Sequence, residues 1–162
     1  MIPEVELDLQ VAVENEPGLN IPSEKILADW IKVALARSDY NKPAVTVSIR
    51  IVDKDEITQL NKKYRNIDKA TNVLSFPYEA LPDVDLNFLG DVVVCAAVVE
   101  AEALEQSKTS EQHWAHMVIH GVLHLIGYDH VEEKQAEEME ALEIDILSNL
   151  GIPDPYGELN TP

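Results

Sequence analysis

A chain of 162 residues, 46% of them apolar, is long enough for one domain with a real core and too short to expect two, so residues 1–162 are read as a single domain. No apolar run approaches the ~18 residues that span a bilayer, which excludes a membrane partner. The acidic start, Met1 to Glu16, lacks the basic and apolar regions of a secretory signal, and one cysteine, Cys95, excludes an intramolecular disulfide; together these predict a cytoplasmic protein.

The elements follow in order. Residues 22–37 predict a helix, with Ser23 as N-cap and Ile26, Trp30, Val33 and Ala34 on one face. Residues 44–52 alternate and are β-branched, hence a strand. Asp53 then caps a helix through Tyr64. Asn72 to Phe76 reads as a strand ended by Pro77, and a turn-rich stretch, 77–90, leads into a buried strand from Asp91 to Cys95. Helices follow at 96–107, at 110–126 with Ser110 as cap, and at 132–149, where Met139, Leu142, Ile146 and Leu147 form the apolar face. The class is α+β: a small mixed four-stranded sheet packed with about five helices.

The net charge of −18 argues against nucleic acid, because affinity for phosphate backbones comes largely from Lys and Arg. The distribution softens that. Six of the twelve basic residues, Arg50, Lys54, Lys62, Lys63, Arg65 and Lys69, lie between 50 and 69. If that segment lines a cleft, its local field favours a phosphate.

The chemistry concentrates in His120-Gly-Val-Leu-His124-Leu-Ile-Gly-Tyr-Asp-His130. Histidines four apart on a helix share one face and can bind one metal. Gly127 stands where a left-handed turn would stop the helix and bring His130 back over its end. Three imidazoles leave a fourth position for water, so the metal centre belongs at the C-terminal end of the histidine helix and is of catalytic type. His113 and His116 extend the stripe. Since His116 and His124 stand roughly 12 Å apart along the axis, they cannot share an ion, and the third ligand from the turn selects 120/124. In zinc proteases of this spacing a glutamate follows the first histidine. Here that position is Gly121, which disfavours a zinc-dependent peptidase.

Other candidates are more open. Arg65, between a helix and a loop, suits a phosphate or a developing oxyanion, although exposed arginines are common. Asp91, Asp129 and His116 are candidates to support a ligand histidine from behind; either aspartate could equally serve a turn. Ser75 has no recognisable base partner, so a serine nucleophile is disfavoured.

These residues resemble the YbeY family of bacterial ribosomal-RNA maturation factors. The histidine motif matches the family's His-x3-His-x5-His signature, and Tyr64-Arg65, Asp68-Lys69, Thr71 to Pro77, Leu89-Gly90-Asp91, Trp114 to Met117 and Glu137 to Glu140 resemble family segments in the expected order. The similarity covers roughly 45–155. Asn72 stands where many members have aspartate, and Ala70 where proline is frequent. The resemblance implies a zinc-dependent, single-strand endoribonuclease with one Zn2+ on His120, His124 and His130. Arg65 and the metal-bound water would then be catalytic. It also implies work on the 3′ end of small-subunit rRNA and in ribosome quality control, with RNA, the small ribosomal subunit and the ribosome-associated GTPase Era as partners. The rival is a non-catalytic ribosome-assembly factor whose metal only fixes the fold.

Overall fold

The computed structural model describes residues 2–14, 19–78, 87–129 and 131–156. Along them run β1 (Glu4–Val11), α1 (Glu24–Arg37), β2 (Ala44–Val52), α2 (Lys54–Arg65), β3 (Val73–Pro77), β4 (Phe88–Cys95), α3 (Ala96–Glu105), α4 (Ser110–Leu125) and α5 (Glu133–Asn149). The mixed four-stranded sheet has the order β1-β2-β4-β3; β1 and β4 flank β2 in parallel and β3 runs antiparallel to β4. This is the α+β arrangement that the sequence predicts.

Side-chain alternation divides the sheet between two cores. Val45, Val47, Ile49 and Ile51 of β2, with Val92 and Val94 of β4, face the main core, which α1, α4 and α5 complete. Val52, Val93 and Cys95 face the other way and pack with Ile57 of α2 and Leu74 of β3. Cys95 is accordingly a buried packing residue. Helix α4 lies against α1, α3, α5, β3 and β4. No helix among the described residues is long and apolar enough to cross a membrane.

Four local expectations are corrected. Strand β1 was not foreseen, although Glu-Val-Glu-Leu-Asp-Leu-Gln-Val alternates: Val5, Leu7 and Leu9 pack on the main core while Glu4, Glu6 and Asp8 are exposed. Acids on the outer face of an edge strand discourage further pairing. Strand β4 begins at Phe88 rather than Asp91, because Phe88 pairs with Thr46. Helix α1 is turned relative to its predicted face: Ile26 is 39% exposed, and Leu27, Ile31 and Leu35 are buried beside Trp30 and Ala34. Thr109, not Ser110, caps α4: its hydroxyl accepts from Gln112 N while the Gln112 side chain accepts from Thr109 N. The Ser110 hydroxyl instead donates to Glu100. Ser23 and Asp53 cap α1 and α2 as predicted.

Candidate metal centre and its cleft

Helix α4 is buried on most of its circumference, which a surface helix is not. Gly121 lets it come close to the sheet. A β-carbon there would stand 2.7 Å from Val92 Cγ1, 3.2 Å from Ser75 Oγ and 3.3 Å from Val73 Cγ2. Position 121 therefore faces the sheet, and a protease glutamate has no room in it. Ser75 is occupied structurally, its hydroxyl donating to the Gly121 carbonyl at 2.9 Å. At the far end Gly127 takes φ +104, as the sequence predicts. Tyr128 N–H bonds to Leu123 O and Gly127 N–H to His124 O, the paired closure of a left-handed helix stop.

The histidines stack along α4 as predicted, with ring centres 6.2 Å apart from His113 to His116, 6.2 Å from His116 to His120 and 4.6 Å from His120 to His124. The last pair is the informative one. His120 Nε2 and His124 Nε2 lie 3.1 Å apart on rings inclined at 82°. His120 Nδ1 meets both Glu143 oxygens, at 3.2 and 3.3 Å. With its Nδ1–H given to that carboxylate, His120 Nε2 carries a lone pair. Two nitrogens bound to tetrahedral zinc at about 2.0–2.1 Å would be spaced by about 3.3 Å, so the pair fits such an ion.

Glu143 is the residue that sequence reasoning missed. It sits on the apolar face of α5 between Met139 and Ile146 and is fully buried. Besides His120 it accepts from His116 Nε2 at 2.8 Å and from the Tyr156 hydroxyl at 2.6 Å. Burial pushes its carboxyl up, but the hydrogen bonds from His116 and His120 outweigh it and hold the group down at about 2. Burial pushes the His116 imidazole below its ordinary value, Glu143 only partly opposing, so His116 is a neutral donor. Burial and the adjacent Glu143 carboxylate both push the Tyr156 phenol up. The sequence holds only a partial signal, an acid spaced with Met139, Ile146 and Leu147 on one helix face; burial of that face is what requires it to be paired.

His116, His120 and Glu143 present ligand atoms within 4.8 Å of one another, so this inner group also has the composition to hold a cation. It is the less open of the two arrangements. His116 is 6% exposed and reaches a separate cavity of about 610 Å³ with Lys108 and Pro153, whereas His120 and His124 line a cleft of about 840 Å³.

Arg65 and Asp129 line the same cleft as His120 and His124. Arg65 is the last residue of α2, which Asn66 stops by adopting φ 59, and the buried Asn61 holds the following loop by donating to Lys69 O at 2.8 Å. Among the described residues Arg65 forms no ion pair, whereas Arg50 is taken by Glu56 at 2.6 Å. Asp91 is not brought to His120 or His124. It follows the alternation of Val93 and Cys95, away from the strand face on which α4 packs. His113 is buried and bonded to Glu102, whose carboxyl is held low by that bond, with help from Asn72, against burial. His130 lies outside the described residues.

Residues 12–151 match the family described as Endoribonuclease YbeY. The fold is similar to the solution structure of TM1509 from Thermotoga maritima, with a TM-score of 0.54 and 25% identity, over 97% of this chain and 100% of that one. With the family match spanning nearly the whole described chain, the protein belongs to the YbeY endoribonuclease family.

Proposed function

We propose that the chain is a zinc-dependent endoribonuclease acting on unpaired RNA, with one ion on His120, His124 and His130. The observation that carries this reading is the 3.1 Å approach of His120 Nε2 and His124 Nε2 at the wall of a cleft that Arg65 also lines. When bound, zinc supplies Lewis-acid polarisation of a phosphoryl oxygen and a nucleophile at neutral pH. Arg65 presents a planar fork to the phosphate and stabilises charge growing on its non-bridging oxygens. Glu143 fixes the tautomer and direction of His120. His116 and Tyr156 hold Glu143, and Asp129 completes the cleft wall. By family, the substrate is the 3′ end of small-subunit rRNA in the cytoplasm, with the small subunit and the GTPase Era as partners and ribosome quality control as the wider role.

A second reading rests on the inner group of His116, His120 and Glu143, where an ion would be enclosed and would serve only the fold of an assembly factor. Zinc titration of His124→Ala and His116→Ala separates the two. Loss of binding in the first with retention in the second supports the cleft site; the reverse supports the enclosed one. Cleavage of a fragment bearing the small-subunit rRNA 3′ end, by identically prepared wild type, His124→Ala and Arg65→Ala, then tests the activity. Equal background in all three removes the nuclease reading.

A further inference from the structure

Tyr64 stands out on the cleft wall beside Arg65. It is 57% exposed, although it belongs to the same helix turn as the guanidinium and lines the same cleft. An exposed aromatic ring at a helix end is ordinarily free to swing, but this one is braced. Phe76 of β3 meets it edge-on, with ring centres 5.0 Å apart and planes at 64°, and Phe76 in turn packs against the smaller core. The Lys63 ammonium stands 5.2 Å from the Tyr64 ring centre. Lys62, whose ammonium stands 4.0 Å from Asp68, and Lys69 flank the same helix end in sequence, outside the residues that line the cleft. In a chain of net charge −18 this is a local concentration of cations around a fixed aromatic surface.

That combination selects its ligand. Cations at the mouth of a cleft attract a phosphate backbone, and a held aromatic face takes the flat ring of a base not already stacked in a duplex. We propose that Tyr64 is a stacking platform for one unpaired nucleobase, adjacent to the phosphate that Arg65 holds. The inference rests on the RNA reading above and adds to it a base-binding subsite. Lys63, whose ammonium stands over the Tyr64 ring at 5.2 Å from its centre, supplies a cation for the phosphate next to the stacked base. Because every base has a π-face, the subsite selects unpaired over paired RNA more than one base over another.

The test uses the full chain and a short single-stranded oligoribonucleotide, 2′-O-methylated throughout to prevent cleavage and carrying one 2-aminopurine moved through the sequence. Wild type is expected to bind it and to quench the fluorophore at one position. Tyr64→Ala should bind roughly 5- to 100-fold more weakly, the span that one stacked base supplies, and lose the quench. Tyr64→Phe should keep both; Tyr64→Leu, similar in bulk but without a π-face, should keep neither. An abasic nucleotide at the quenched position should weaken wild type by the same factor and leave Tyr64→Ala unaffected. Annealing a complementary strand should abolish the signal. Wild-type affinity and quench in Tyr64→Ala, with Arg65→Ala impaired, overturn the platform and leave the nuclease reading standing. No RNA binding by wild type overturns both.

Discussion

Glu143 holds His120 from behind: a fully buried carboxylate on α5 receives the imidazole Nδ1 at 3.2 Å while the opposite ring nitrogen approaches His124. In Glu143→Gln an amide group faces donors from His116, His120 and Tyr156. Zinc affinity should fall about 10- to 100-fold, the usual loss when the partner of a ligand histidine is changed. The metal-free protein should lose about 1–3 kcal/mol for a buried donor left unpaired. Competition titration against a chelator and urea unfolding read the two separately. Unchanged zinc affinity would show that Glu143 does not orient His120.

Arg65 is exposed and unpaired among the described residues, so Arg65→Ala should leave the melting temperature within about a degree or two. Single-turnover cleavage at saturating RNA should nevertheless drop about 100-fold or more, the cost of removing one donor to a developing anion. Arg65→Lys should recover only part of it, since an ammonium cannot offer the paired fork. Equal rates in Arg65→Ala and wild type at saturation rule out the transition-state role.

Acid should weaken the metal-free fold in two stages. The His116 pKa is depressed on folding, so its contribution is complete above the unfolded value near 6.5 and is lost as pH falls from there. The Glu143 carboxyl is lowered to about 2, so its contribution is present above about 4.5 and is lost as pH falls from there toward 2. Both act in the same direction. Denaturation midpoints measured with a chelator from pH 8 to pH 3 should decline first below about 6.5 and then more steeply below 4.5. Glu143→Gln should flatten the second decline.

Gly121→Ala sets two effects against each other. Alanine favours a helix by about 1 kcal/mol over glycine. Its β-carbon, however, would stand 2.7 Å from a methyl of Val92, a β-branched side chain with little freedom to turn. Overpacking of this kind costs about 1–3 kcal/mol, so the net change should be a loss of about 1 kcal/mol, seen as a lower urea midpoint with an unchanged slope. A gain in stability would mean that β4 yields more readily than its buried position suggests.

The histidine stripe, the Gly127 stop and the place of Arg65 were legible because each depends on neighbours in sequence. A four-residue spacing fixes a helix face, and glycine after an apolar run fixes a turn. Glu143 was not legible in that way. Its partners come from α4 and from Tyr156, and an acid in a helix rich in acids looks like surface until the helix is packed. Asp91 shows the opposite case: it stands next to an apolar run, but strand alternation sends it to the face away from α4. The β1 alternation is readable in Glu4 to Val11, but the acids between its apolar residues point first to the absence of a secretory signal and hide the period of two.

The close seating of α4 on the sheet at Gly121 governs more than stability. The same helix carries His120 and His124 on one side and rests at position 121 on the strands β3 and β4, while Arg65 lines the same cleft from a different helix. The width of that gap is therefore gauged by a missing methyl group. A larger residue at 121 would lift the imidazoles as a rigid unit and change the span that a phosphate has to bridge, without touching any residue that handles it.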